Sequence, residues 1–514
     1  MQNHEQLNEQ SNKRLKTRLK MIGAAAFWLL LWQLAAVFMG NDILLVGPLQ
    51  MFAALFGLFS EPAFWHSIGN SFLRIGAGFL LAAVAGVFLG ACACRFSFLR
   101  TLLSPPVSLM KSIPVASFVI LAIIWLGGTK KLSVFVSFVV VFPMTYLNTI
   151  SGLLSTDKKL LEMAQVFHVG AWKKWRFLYV PALLPYLLAC FRVSLGMAWK
   201  SGVAAELIGQ PANTIGNSLY QAKIFLDTPA LFAWTFTIIV ISLLFEKAVL
   251  WAVHFVSPEA SESRREDSKS NDMSDCGGQL IGSIPTGCSS SAAHTPACSV
   301  CWNGISKAFG GTVLFRDFSG QMEAPGVYAL SGESGSGKTT FFRLLLGLDR
   351  PDAGSVSWNE TGSAGSGAAE HPRCAAVFQE DRLCEQVSAV DNILLCMKKN
   401  DADRQQIRKE LCLILPQDCL DKPAGKLSGG QKRRVALVRA MLAPRTEALF
   451  LDEPFTGLDE ETKQLAIRYV RARLGGRLLV LATHDEEDRD AFFIPEERVI
   501  QIAEQTEMHL KVRQ

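Results

Sequence analysis

Charge is scarce in this sequence. Asp, Glu, Lys and Arg make up only 19% of its 514 residues against 50% hydrophobic, and the mean hydropathy is +0.24. That is too apolar for an ordinary soluble enzyme and points to membrane spans in part of the chain. The balance of charge is slight, +5 at neutral pH. It fits loop lysines and arginines beside a membrane better than a nucleic-acid surface. No internal repeat is visible, so each module is present once. The twelve cysteines follow no repeated spacing. Cys298-Ser299-Val300-Cys301 is the only C-x-x-C, with no second pair or histidine at zinc spacing. Reduced thiols on the cytoplasmic side are expected, a redox or metal role being the alternative.

The chain opens with a polar stretch ending in Lys13, Arg14, Lys16, Arg18 and Lys20, then an apolar run from Met21 to Gly40. The run is long enough to cross the hydrocarbon core, and no small-x-small cleavage site comes after it. An uncleaved first span with a cytoplasmic N-terminus is expected; a signal peptide is the alternative. Further spans are expected at Ser71–Cys94, Val115–Leu126, Ser133–Ile150, Pro181–Ala205 and Leu231–Val253. The third is short. Ser104-Pro105-Pro106 and Ile113-Pro114 should break a helix before it, and extension back to Val107 gives a kinked span. Six spans place Cys94–Thr101 and Ser155–Val180 inside, where Arg95, Arg100, Lys158, Lys159, Lys173, Lys174 and Arg176 obey the positive-inside rule; Lys130 and Lys131 do not. Lys200 falls inside the fifth span. A charge there costs about 2.5–3.5 kcal/mol, so it faces protein or a watery path. Anion binding and structural pairing both remain open, and Glu206, six residues on, is not on the same helical face.

From Ser257 to about Pro296 the composition turns to charge, Ser and Gly, which reads as a flexible linker. Beyond it lies Gly332-Glu333-Ser334-Gly335-Ser336-Gly337-Lys338-Thr339-Thr340, a G-x-x-x-x-G-K-[ST] phosphate-binding loop. Its glycines let successive N–H groups point at a triphosphate, Lys338 supplies a point charge, and the Thr339 hydroxyl suits Mg²⁺. Val327–Leu330 before it reads as a strand and Phe341–Leu346 after it as a helix, which aims a helix N-terminus at the phosphates. Ala448-Leu449-Phe450-Leu451-Asp452-Glu453 is a buried-strand run ending in two carboxylates, Asp452 for the metal side and Glu453 as a water-activating base. No appended regulatory domain is expected in the short stretch given beyond His484.

Leu427-Ser428-Gly429-Gly430-Gln431, Gln379 in Val377-Phe378-Gln379-Glu380, Asp459 after Gly457-Leu458, and His484 in Thr483-His484-Asp485 complete a set. Together these motifs resemble the ATP-binding cassette (ABC) family, from roughly Ser299 to the C-terminus. The resemblance implies ATP and Mg²⁺ as cofactors, with Thr339, Gln379 and Asp452 around the metal. Gly332, Ser334, Gly335, Gly337, Lys338, Thr339 and Thr340 would hold the phosphates. Ser428 and Gly430 would close on the γ-phosphate bound by a second copy, with Gly429, Gln431 and Asp459 also among the nucleotide-binding residues. Glu453, His484 and Gln379 would serve hydrolysis, and Phe309 would stack on adenine, a core role being the rival for that ring.

In the apolar half, Glu162-Met163-Ala164-Gln165-Val166-Phe167-His168, nine residues, then Leu178-Tyr179-Val180-Pro181 resembles the E-A-A-x-x-x-G-x9-I-x-L-P loop of ABC importer permeases. His168 stands where that family has Gly, Gly170 lies two residues on, and a slightly altered turn is expected. Leu160, Leu161, Ala164 and Phe167 share a helix face. The resemblance makes this a coupling helix, with Glu162, Ala164, His168, Gly170 and Pro181 its marks, seated near Gln379; an amphipathic helix on the membrane is the rival. Gly202–Gly209 looks like permeases of the nitrate/sulfonate/taurine group.

The fold expected is therefore multi-domain: an N-terminal tail (1–20), an all-α six-span permease (21–256), a linker (257–296) and an α/β P-loop ATPase (297–514). The expected function is ATP-driven import of a small solute across the cytoplasmic membrane, by a homodimer served by an extracytoplasmic solute-binding protein, with no nucleic acid involved. An exporter half-transporter is the first rival, but Cys94–Thr101 is too short for its long cytoplasmic helices. A membrane-anchored regulatory ATPase is the second, and one span would suffice for that.

Overall fold

The computed structural model describes residues 20–502 apart from 22, 25, 42, 257–297, 310–311, 334, 361–372 and 399–402. It divides into two compact units. The first joins residues 1–155 with 182–261; the second joins 156–181 with 262–514.

The first unit is helical: α1 (Ala26–Met39), α2 (Pro48–Phe59), α3 (Pro62–Arg95), α4 (Ser97–Ser112), α5 (Val115–Leu126) and α6 (Leu132–Leu154). After the 156–181 segment come α9 (Val180–Gly209), α10 (Ile215–Ile224) and α11 (Thr228–Val256). Among the described residues four helices are long and apolar enough to cross a membrane: Pro62–Arg95, Leu132–Leu154, Ala171–Gly209 and Thr228–Trp251. They become five if α4 and α5, which meet at 114°, count as one broken span. This differs from the six expected. The described part of the first run, α1, is a shorter helix, and positions 22 and 25 of that run lie outside the described residues.

The third span is not one kinked helix. Pro105 and Pro106 sit inside α4, which gives up two amide bonds and continues; the chain breaks at Ile113, whose extended backbone (φ −77, ψ 127) is what a following proline imposes.

Close packing of α3 on α6 organises this unit. Gly78, Gly86 and Gly90 recur on one face of α3, and a Cβ on them would lie 2.4 Å from the Val134 carbonyl oxygen, 2.7 Å from Thr145 and 2.8 Å from Thr149. Small residues spaced in this way let two backbones approach where lipid offers no hydrophobic drive. Glu206 on α9 is fully buried and accepts bonds from Ser71 (2.7 Å), Ser133 (3.1 Å) and the Gly216 N–H (3.4 Å), tying four helices at one carboxylate. Lys200 is exposed, as is Arg192 two turns earlier on the same helix.

The second unit holds two sheets. The strands are β1 (Cys298–Phe309), β2 (Thr312–Glu323), β3 (Gly326–Ser331), β4 (Ala353–Glu360), β5 (Cys374–Val377), β6 (Ala448–Asp452), β7 (Leu478–Ala482) and β8 (Val499–Gln501). An antiparallel sheet runs β2-β1-β4; a parallel one runs β5-β6-β7-β3-β8. Every residue of β6 and β7 is buried, as unbroken apolar runs in a parallel sheet require. Between and after these strands lie α12 (Lys338–Leu345), α13 (Ala389–Cys396), α14 (Arg404–Cys412), α15 (Gly429–Met441), α16 (Glu460–Arg473) and α17 (Glu486–Ala491).

Candidate functional site

Parallel register decides where the motifs meet. Leu330 and Asp452 both pair with Ala482 on β7, and Val377 pairs with Leu451. The residues that come after β3, β5, β6 and β7 therefore leave one edge of the sheet together, the carboxyl edge where α/β folds bind ligands. They are the phosphate loop, Phe378-Gln379, Glu453 and Thr483-His484.

In the loop, Gly335 (φ +89) and Gly337 (φ +102) take left-handed backbone that turns the chain into the eight-residue α12. Lys338 folds back, donating to the carbonyls of Gly332 (2.6 Å) and Glu333 (2.9 Å). Ser336 is buried, and its hydroxyl has no hydrogen-bond partner among the described residues. A curled loop with a helix N-terminus, an ammonium and an unsatisfied buried hydroxyl fits a phosphate chain. Ser334 lies outside the described residues, and so does the side chain of Phe309.

Thr339 donates its hydroxyl to Asp452 at 2.9 Å. Burial pushes the Asp452 carboxyl up from its usual range. A cavity of about 210 Å³ is lined by both residues and by Gln379, with Arg343, Arg382 and Lys159 on its wall. Hydroxyl, carboxylate and amide oxygens on one cavity are a hard-oxygen set that suits Mg²⁺. Beside it Glu453 has φ +46, with its N–H given to the Ala482 carbonyl (2.8 Å) and its side chain 3.4 Å from His484 Nδ1.

The signature residues stand apart. Ser428 caps α15 in a reciprocal box with Gln431. Among the described residues no hydrogen bond joins 428–431 to the phosphate loop of the same chain. Asp459 caps α16, accepting from the Thr462 N–H and hydroxyl, which holds its carboxyl below the usual range.

The segment 156–181 belongs to the same compact unit as this sheet. Asp157 caps α7 (Lys158–Val166); Gly170 opens α8 (Ala171–Lys174), and Pro181 lies just inside α9 after a π turn at Trp175–Tyr179. Met163, Ala164, Val166, Phe167, Val169 and Leu178 are buried in the core that also holds Phe342, Phe378 and Leu395. The turn is not altered by His168, contrary to expectation. His168 N–H reaches the Gln165 carbonyl (3.0 Å) and Val169 N–H the Ala164 carbonyl (2.9 Å), the paired bonds of a Schellman cap with His168 at φ +48 in the left-handed place. A non-glycine residue there costs about 1–2 kcal/mol. His168→Gly is therefore expected to hold or raise the melting temperature, whereas β-branched His168→Val lowers it by several degrees; scanning calorimetry showing no difference between the two would refute the strain.

Glu162 was expected at this loop, but its partners were not foreseen. Glu162 takes both Arg343 Nη1 and Nη2 at 2.8 Å and Arg382 Nη1 at 2.8 Å; Arg343 also grips Asp349 at 2.6 Å. The two guanidinium groups hold the Glu162 carboxyl below its usual range, hydrogen bonds from Arg343 first. Lys159 pairs with Glu380 at 2.5 Å, and Lys173 donates to the Leu394 and Met397 carbonyls at the end of α13. The guanidinium of Arg439, 1% exposed, lies 5.1 Å from the Phe167 ring. Arg343 could have been found: it is the one charge inside the apolar run Phe341–Leu346.

Comparison with known proteins places these features. The family described as binding-protein-dependent transport system inner membrane component matches residues 78–261, and the ABC transporter family matches residues 315–456. An aliphatic sulfonates import ATP-binding protein of Rhizobium johnstonii is 34% identical over 200 residues, 38% of this chain and 70% of that one. A sulfate/thiosulfate import ATP-binding protein of Anthoceros angustus is 34% identical over 191 residues, 36% of this chain and 49% of its own. The chain thus spans about half the length of that relative. Among solved structures, a dimeric ATP-binding cassette in a post-hydrolysis state with ADP and Pi aligns with 40% of this chain and 94% of its own, at 23% identity and a TM-score of 0.34. The chain belongs to the ABC transporter family, joining a permease domain of the binding-protein-dependent type to an ATP-binding cassette in one polypeptide.

Proposed function

We propose that this chain imports a small solute across the cytoplasmic membrane, using ATP hydrolysed between two copies of itself. The permease would take solute from an extracytoplasmic binding protein, with the N-terminus and the cassette in the cytoplasm. The names of the relatives favour sulfate or sulfonate-like anions as solute. The observation that carries the reading is the seating of 156–181 in the cassette's own core. A permease loop buried there, with Glu162 on arginines beside the phosphate helix and Gln379, can tie nucleotide state to the membrane half.

The chemistry rests on the placement. Backbone N–H groups of 332–340 and Lys338 hold the phosphates, and Thr339, Asp452 and Gln379 would hold Mg²⁺, which neutralises charge on the β- and γ-oxygens. Glu453 accepts a proton from water as the water oxygen bonds to the γ-phosphorus. The bond to the β–γ bridging oxygen breaks, and its electron pair leaves with ADP. His484, beside Glu453, lies where it can touch the γ-phosphate. Ser428 and Gly430 complete the site from the partner copy; among the described residues no hydrogen bond ties them to the phosphate loop of their own chain, which fits that role.

The test is complementation. Lys338→Ala and Ser428→Arg chains each have no intact composite site as homodimers; a mixed dimer has one. Equal mixing should restore about one quarter of normal turnover if the two sites fire independently. No recovery in mixed dimers purified through two different tags would rule out the shared site.

A further inference from the structure

One charge on the signature helix has no part in the motifs. Arg433 lies five residues after Ser428 and is only 5% exposed. Burying a guanidinium is costly unless its donors are satisfied, so its partners show what it serves. Nη1 donates to the Phe378 carbonyl at 2.6 Å and to Asp381 Oδ1 at 3.1 Å; Nη2 donates to the Glu453 carbonyl at 2.8 Å. Phe378 and Asp381 bracket Gln379. Glu453 holds left-handed backbone at φ +46, which a non-glycine residue keeps only when its surroundings over-determine it. Here both ends of its backbone are pinned: the N–H by Ala482, and the carbonyl by Arg433 at 2.8 Å with a longer bond from the Thr456 N–H at 3.3 Å. The loop is held a second time by the same helix, since Arg439 donates to the carbonyls of Asp381 (3.0 Å) and Arg382 (2.7 Å).

We propose that Arg433 is a positioning residue for hydrolysis, acting through the Glu453 backbone. It fixes the aim of that carboxylate and keeps the Gln379 loop in register with the signature helix, so the base and the loop are set by one rigid fork. The proposal rests on the reading of Glu453 as the base. A guanidinium can serve three oxygens on two segments from a planar fork, whereas an ammonium is a single point and holds one side at a time.

The experiment uses the full chain in proteoliposomes. Arg433→Lys should lower kcat for ATP about 10- to 100-fold, the scale of a misplacement near 1 Å, while KM and the affinity for a non-hydrolysable ATP analogue stay within about threefold. In a Glu453→Gln background the same substitution should change the residual rate less than about twofold, because the group it positions is gone. Unchanged kcat, a loss carried by KM, or an equal loss in both backgrounds overturns the proposal. If the lysine variant does not fold, Asp381→Asn serves instead: it loosens Nη1 and leaves both carbonyl contacts. It should lower kcat about 3- to 10-fold with KM unchanged, and normal turnover overturns the proposal. The two readings fail differently. An active Glu453→Gln protein sinks both, while an inactive one beside a fully active Arg433→Lys sinks only this one.

Discussion

Lys338→Ala and Glu453→Gln should stop ATP hydrolysis in two different ways. Lys338 reaches the carbonyls of Gly332 and Glu333 from the start of α12, so its ammonium already stands over the phosphate loop. Removing a charge-assisted donor of that kind costs about 1.5–3 kcal/mol, or roughly 10- to 150-fold in ATP affinity. Glu453→Gln removes no phosphate contact. The backbone bonds that hold position 453, to Ala482, Arg433 and Thr456, do not depend on its carboxylate. Its loss should appear in the chemical step alone, about 10²- to 10⁴-fold in kcat, the range of general-base catalysis. Nucleotide binding and turnover measured on both variants separate the two: weak binding in the first, full binding with stalled turnover in the second. Near-normal hydrolysis by Glu453→Gln would remove that residue as the base.

The candidate edge was legible because parallel strands announce themselves. Val327–Leu330 and Ala448–Asp452 are short apolar runs that end in chemistry; the second is buried at every residue and the first at about half, and neither shows the polar alternation that would blur the signal. The contacts that hold the edge were not legible. Arg433, Arg343 and Arg382 act across 20 to 220 residues of chain, and spacing along a sequence carries no record of such pairs. Hydropathy located four of the expected spans, and the prolines before the third were the harder part to read. Pro105-Pro106 and Ile113-Pro114 look equally disruptive in sequence, yet only the second ends a helix, because local propensity yields to packing. At His168 the family pattern misled in a smaller way. The backbone demanded a left-handed residue and kept its geometry without glycine.

Transport should be lost, with ATP binding kept, when α7 is unseated. Ala164 is fully buried among cassette residues, so Ala164→Asp places an unpaired carboxylate in an apolar contact, at a cost of several kcal/mol. Glu162→Gln is milder. Its carboxylate bridges Arg343 on the phosphate helix to Arg382 beyond Gln379, at side-chain exposures of 26%, 24% and 9%. Partial exposure discounts the pair, so about 1–3 kcal/mol of docking is expected to go, enough to slow uptake markedly without abolishing it. The pH dependence has a definite sign. The Glu162 carboxyl is held below its ordinary 4.5, so its contribution is fully present above that value and is lost as pH falls through the depressed one. Docking should therefore be flat between pH 6 and 8 and weaken only in stronger acid. Hydrogen exchange of the 158–169 amides, corrected for intrinsic rates, tracks it directly. As a control, deleting about ten residues within 262–296 should leave uptake near normal, because in this reading force passes through the seated helix and not through the covalent connection. Uptake and ATPase measured side by side in proteoliposomes decide the matter. Normal transport by Ala164→Asp with uncoupling by the deletion would put the mechanical link in the connection and take it away from α7.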